Sequence, residues 1–233
     1  AHGAMYKGKK VGSIGKCGAF SFFFSHHLST GEGGMITTND PVLADICRGI
    51  RAHGWSRDRS DHAALANQYP DIDPRFLFVQ SGYNLRMTEV SGAFGVHQVP
   101  RLSDFVERRR HNHQHWCKLI SALNLPLRVF PEQESSHHSG FAFPILLDEN
   151  SPINRQRLCE LLESKNIQTR PISGSNLSRQ PVFNHLDDVR VEGPLPVANA
   201  VHERGFFVGQ SHAFDNRHGE FLVGCLKDAF ESN

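Results

Sequence analysis

Residues Gly18 to Thr38 read GAFSFFFSHHLSTGEGGMITT, and the organisation of the chain follows from this stretch. Gly18 to Phe24 is an aromatic run too short for a stable helix and suited to a buried strand. Ser25 to Gly34 is polar and glycine-containing, hence a loop, and Gly34 to Thr38 is a second short strand. In open α/β sheets, ligands bind at strand ends that open into loops of this kind. Ser21 lies inside the aromatic run, where a hydroxyl costs free energy unless it finds a partner; a phosphate group would be one. His26 and His27 follow at the strand end, and imidazole is the side chain best able to move protons near neutral pH. A hydrogen-bonded loop pair is the alternative for both. Glu32, between glycines, is expected to bond backbone amides and hold the loop.

Working outward, residues 3–16 alternate glycines and lysines with short apolar pairs, which predicts a hairpin or tight turns. On the other side, Asp40 can cap a helix that has Pro41 in its first position. That helix carries Leu43, Ile46, Cys47 and Ile50 on one stripe and stops near Gly54. Residues 56–75 are polar, contain Pro70 and Pro74, and read as a long surface loop. A short apolar run, Phe76 to Val79, leads into Gly82-Tyr83-Asn84. Small residues from Thr88 to Gln98 allow a close-packed helix. Val99, Leu102, Val106, His113, Trp116, Ile120 and Leu123 then recur at helical spacing, a long amphipathic helix kinked at Pro100. Beyond Pro126 a strand (Phe141–Leu147), a helix capped by Ser151-Pro152, a strand (Ile167–Ile172), a short apolar run (Phe206–Gly209) and a final helix (Phe221–Phe230) follow. Such alternation predicts a small α/β domain, with a boundary inside or after the long helix near residue 110, dividing the chain into 1–110 and 111–233.

The 233 residues balance Lys+Arg 25 against Asp+Glu 24, so bulk charge gives no reason to expect nucleic acid or an acidic membrane as partner. No apolar run approaches the ~20 residues that span a bilayer. Cys17, Cys47, Cys117, Cys159 and Cys225 are scattered, without C-x-x-C spacing, which argues against a metal site or a disulfide framework and suits a reducing cytoplasm. Arg108-Arg109-Arg110 reads as a solvated helix face. His111, His113 and His115 read as helix residues, with no metal expected. The opening Ala1-His2-Gly3-Ala4-Met5 reads as a segment cut from something longer.

Three blocks, FSFFFSHHLSTGEGGMITTND, IRAHGWSRD (Ile50–Asp58) and GYNLRMTEVSGAFGVHQ (Gly82–Gln98), resemble the DegT/DnrJ/EryC1/StrS family of sugar aminotransferases in order and spacing. The resemblance continues through Gln168-Thr169-Arg170-Pro171-Ile172 and Gly205-Phe206-Phe207-Val208-Gly209. It implies a type I pyridoxal-phosphate aminotransferase-like fold: part of the large cofactor-binding domain followed by the small domain. Most members carry at residue 26 a lysine that forms an imine with the cofactor. Histidine cannot form that imine, but it can serve as acid and base. The histidine-bearing subgroup is similar to 3-dehydratases of nucleotide-linked 4-keto-6-deoxy sugars, the GDP-4-keto-6-deoxymannose type. An iron–sulfur group of relatives bears a cysteine cluster where this chain has Arg51-Ala52-His53-Gly54-Trp55-Ser56-Arg57, and the lack of cysteine favours the iron-free type.

By resemblance, His26 is the acid/base and Ser21 binds the cofactor phosphate. Asn84 reaches the cofactor phosphate of the neighbouring subunit, and His53 and Arg170 face substrate. The implied cofactor is pyridoxal 5′-phosphate or its pyridoxamine form. Glutamate would be the amino donor, in deoxysugar and O-antigen biosynthesis, and the full-length enzyme a homodimer. A helix-end histidine and a turn asparagine are the plain alternatives for His53 and Asn84. A sugar aminotransferase, or a fragment that keeps only the fold, are the alternatives for the whole. The aspartate that family members pair with the pyridine nitrogen falls before the point matching Ala1. This chain alone is therefore expected to bind cofactor weakly, to have little activity, and to self-associate through uncovered apolar faces.

Overall fold

The computed structural model describes residues 2–232. In chain order the strands and α-helices are β1 (Met5–Tyr6), β2 (Lys9–Lys10), β3 (Gly18–Ser21), β4 (Gly34–Thr37), α1 (Pro41–Ile50), α2 (His62–Gln68), α3 (Glu89–Gln98), α4 (Leu102–Ser121), β5 (Leu127–Val129), β6 (Ser136–His137), β7 (Ala142–Leu147), α5 (Arg155–Ser164), β8 (Thr169–Pro171), α6 (Pro196–Arg204), β9 (Gly205–Gly209) and α7 (Asn216–Glu231). They form two compact units. The first holds residues up to Ser103 with Ser135–His137, and the second holds Asp104–Glu134 and everything from His138 onward. The division thus falls at the first turn of α4, ahead of residue 110.

In the first unit, β1 pairs antiparallel with β2 and with β6, and β3 pairs antiparallel with β4. The hairpin expected over residues 3–16 is β1–β2. The aromatic strand is shorter than its sequence suggests: it ends at Ser21, and Phe23 and Phe24 are exposed. Asp40 caps α1 by accepting from the Val42 and Leu43 amides at 2.9 and 3.1 Å. Residues 56–75 are not a structureless loop. His62-Ala-Ala-Leu-Ala-Asn-Gln forms α2, because three alanines supply helix propensity that outweighs its polar flanks. A 3-10 turn, Pro74–Phe76, follows, capped by Asp73. Thr88 caps α3 by accepting from the Ser91 amide, and a 3-10 turn over Val99–Arg101 puts the expected break at Pro100 before α4.

The second unit is built on an antiparallel sheet ordered β5-β7-β9-β8. Its central strand β7 alternates, with Phe143, Ile145 and Leu147 fully buried. Helix α4 supplies Trp116, Cys117 and Ile120 to the same core, α5 supplies Leu158 and Leu162, and α7 supplies Leu222 and Leu226. Helix α5 is capped by Asn154, whose side chain accepts from the Arg157 amide, and not by Ser151. Ser151 instead donates to the Ile153 carbonyl, in the turn that buries Ile153 ahead of the helix.

Arg108–Arg110 departs from a solvated face. Only Arg108, paired with Asp104, faces solvent. Arg109 is buried and donates to the Gly140 and Gln210 carbonyls, and Arg110 pairs with Glu132. His113 is buried too, donating from Nε2 to the Phe130 carbonyl at 2.8 Å. Among the described residues no helix is long and apolar enough to cross a membrane.

Candidate functional site

The loop that follows β3 is closed at its base by the backbone of one residue. The Phe22 amide donates to Gly33 and its carbonyl accepts from Thr30, both at 2.9 Å. The Thr30 hydroxyl donates to the Glu32 carbonyl at 2.8 Å. Threonine, with the Glu32 backbone, therefore ties the loop at a place where the Glu32 side chain was expected to act; that side chain is exposed. Within the loop the His26 amide donates to Phe23 at 3.0 Å, and the His26 ring meets the Phe23 ring edge-on at 6.0 Å. His26 is half-buried, while His27 and Leu28 are buried. The loop thus turns one histidine inward and leaves its neighbour partly accessible.

Ser21 is the last residue of β3, opposite Gly34 of β4. It is exposed, and its hydroxyl accepts from the Phe23 amide at 3.3 Å. Sequence reading treated Ser21 as a buried hydroxyl in need of a partner. The strand alternation instead places Phe20 and Phe22 on the opposite face from Ser21, so its hydroxyl stands free of the aromatic packing.

The second and third motif blocks meet each other. Gly54 has φ +84°, and a Cβ there would lie 1.6 Å from the Gln80 carbonyl oxygen. A Cβ on Gly82 would lie 2.2 Å from the Gly54 amide nitrogen. Two glycines are required because two backbones cross in contact. Around the crossing, His53 donates to the Tyr83 carbonyl at 2.8 Å, Tyr83 to Ile50 at 2.7 Å and Leu85 to Arg51 at 2.9 Å. Ala52 and Asn84 form an antiparallel bridge. His53 and Asn84 are therefore brought together, both exposed, with His53 in the left-handed region at φ 62°. His53 lies beyond Arg51, the C-cap of α1.

The third block also reaches the His26 loop. A Cβ on Gly33 would meet the Met87 side chain at 2.7 Å, and one on Gly95 would touch Thr30 at 3.4 Å. All three blocks thus converge within the first unit. Arg170 belongs to the second unit, where it is exposed on β8.

One feature of the sequence went unread. No lysine occurs between Lys16 and Lys118, so none of the three blocks contains an amine that could form an imine. Asp45 is a second residue that sequence reading passed over. It is buried on α1 and accepts from the Ser60 amide at 2.9 Å, the Ser60 hydroxyl and Arg48 at 2.7 Å. The Ser60 bonds hold its carboxyl down at about 2. Its partners mark it as an anchor for the segment after α1, and an acid hidden on a helix carries no periodic signal.

The sequence matches the DegT/DnrJ/EryC1/StrS aminotransferase family over residues 1–227. It is 38% identical over 216 residues to a GDP-4-keto-6-deoxy-D-mannose 3-dehydratase of Yersinia pseudotuberculosis, covering 91% of this chain and 54% of that protein. A GDP-perosamine synthase of Escherichia coli O157:H7 is 34% identical over 173 residues, 74% of this chain and 42% of that protein. The solved structure of E. coli GDP-4-keto-6-deoxy-D-mannose-3-dehydratase with bound hydrated PLP matches with a TM-score of 0.87 at 33% identity, over 96% of this chain and 57% of that one. The chain spans about half the length of the curated relatives it matches.

Proposed function

The chain belongs to the DegT/DnrJ/EryC1/StrS aminotransferase family, with the type I aminotransferase fold expected from its motifs, and we propose that it is the part of a 3-dehydratase of GDP-linked 4-keto-6-deoxymannose that carries the acid/base. One observation carries this reading. Residue 26, where most members of the family have their imine-forming lysine, is a half-buried histidine, and no lysine replaces it between Lys16 and Lys118. An imidazole there can take and return a proton but cannot tether a carbonyl cofactor.

The residues present fit pyridoxal phosphate. The Ser21 hydroxyl, clear of the aromatic face, and the exposed Asn84 amide are neutral donors suited to a phosphate, and a strand end opening into a loop suits a ligand. When bound, the cofactor in its pyridoxamine form supplies an amine for the sugar 4-keto group and a conjugated ring that takes up electrons. His26 would take the proton at the cofactor C4′ atom and could return it to the departing C3 hydroxyl of the sugar, which then leaves as water. Ser21 would hold the phosphate of the cofactor that faces His26, and Asn84 would reach the cofactor phosphate of the neighbouring subunit. His53 and Arg170 contact the nucleotide sugar. Glutamate is the amino donor, the assembly a homodimer and the compartment the cytoplasm.

The test is a product assay on a protein extended to the length of its relatives, with GDP-4-keto-6-deoxymannose, pyridoxal phosphate and glutamate. Ammonia released in step with a 3-deoxy-4-keto sugar is the expected result. A stable 4-amino sugar would overturn it in favour of the aminotransferase reading, which the likeness to a GDP-perosamine synthase keeps open.

A further inference from the structure

His2 takes no part in the chemistry proposed above, yet it is among the most buried polar residues of the first unit. Its ring lies nearly parallel to Phe22 (centroids 5.3 Å, 16°), tilts against Phe20 at 5.3 Å and meets the His27 ring edge-on at 6.2 Å. The Phe20 ring also packs over Gly12, where a Cβ would come within 2.5 Å. Phe20 precedes Ser21 in β3 and Phe22 follows it directly beyond the strand end, so His2, packed on both rings, lies on the face opposite the Ser21 hydroxyl.

Both ring nitrogens of His2 are buried without a hydrogen-bond partner. Such atoms are costly to bury, and a ring kept for its hydrogen bonds would not be left so. Burial, the largest cause, lowers the imidazole to about 4. The ring is therefore uncharged in neutral solution and packs as a flat aromatic slab. It wedges beneath the start of the loop, against His27, the residue next to His26.

We propose that His2 is a positioning residue for His26: an aromatic wedge behind β3 that fixes Phe22 and His27 and thereby the orientation of the half-buried imidazole beside them. This rests on the reading of His26 as the acid/base, but the geometry it asserts can be measured without cofactor. If shape is what matters, a phenyl ring should serve as well as an imidazole, and it also removes two unpartnered polar atoms.

The experiment compares His2→Phe and His2→Ala in the chain as it stands, reading the ring NMR signals of His26 and His27 together with the melting temperature. In His2→Ala the His26 ring signals should move towards those of free histidine. In His2→Phe they should keep their native shifts, with a melting temperature equal to or a few degrees above that of the unsubstituted chain. Native His26 and His27 signals in His2→Ala would overturn the proposal. So would failure of His2→Phe to restore them, which would mean that the nitrogens matter. If His2→Ala does not fold, the His2→Phe spectrum decides alone in the same two ways. A dehydration assay that fails while these spectra behave as expected would sink the role of His26 and leave the wedge standing.

Discussion

The two units of this chain solve the burial problem differently. The second closes a core of its own: Phe143, Ile145, Leu158, Leu162 and Leu226 have essentially no exposure, and helices α4, α5 and α7 cover them. The first, among the described residues, buries only Leu28, Ala52 and Leu77 as large or small apolar side chains. Its apolar residues stand instead on open faces, with Val90 68% and Phe94 60% exposed on α3, and Tyr83 and Leu85 beside Asn84 more than half exposed. Patches of that kind mark surfaces meant to be covered. The first unit is held by backbone crossings, caps and one buried carboxylate, the second by side-chain packing. The residues proposed for chemistry sit mainly on the unit whose core is incomplete.

The largest effect that can break this comparison is in the second unit. Phe143→Ala removes a fully buried ring at the centre of β7 and should cost about 3–5 kcal/mol, read by urea unfolding. A cost under ~1 kcal/mol would deny the core its role. In the first unit the sharpest substitution is at a glycine. Gly54→Ala places a methyl group on the Gln80 carbonyl in a left-handed conformation and should cost at least about 2 kcal/mol. The loss should appear in hydrogen exchange of the first-unit amides around residues 50–55 and 79–85.

Acid should act next. A carboxyl whose folded pKa is depressed contributes stability that is fully present above its ordinary value and is lost as pH falls through the folded value. For Asp45 the window runs from near 3.8 down to about 2, with the Ser60 hydrogen bonds as the main cause. Ser60→Ala should therefore move the acid-induced loss of first-unit structure to higher pH, measured by circular dichroism across that range. An unchanged acid midpoint would remove Asp45 from the account. The smallest effect on folding is expected from Phe94→Asp on exposed α3, within about 0.5 kcal/mol. Sedimentation should nevertheless show less self-association than in the unsubstituted chain.

The same contrast explains what could be read in the sequence. Trp116, Ile120 and the apolar positions of β7 were legible because a self-contained core imposes regular period on its helices and strands. Asp40 was legible as a cap because capping is local chemistry. Helix α2 was missed because its alanines give propensity without an apolar stripe. The Arg108–Arg110 run misled because Arg109 is satisfied by carbonyls of Gly140 and Gln210, residues remote in sequence. In the candidate site the order of the three motif blocks was legible. Their meeting through Gly54, Gly82 and Gly33 was not, because backbone contact at a glycine leaves no side chain to read.

The central claim is that residue 26 stands at the reactive carbon of a carbonyl cofactor and that histidine there forgoes the covalent bond. The most direct measurement is borohydride trapping of His26→Lys with millimolar pyridoxal phosphate, followed by peptide mass mapping. The account predicts a reduced phosphopyridoxyl adduct on residue 26, the one amine then present between Lys16 and Lys118. Label confined to Lys7, Lys9, Lys10, Lys16 and the lysines of the second unit, with none on residue 26, would contradict it.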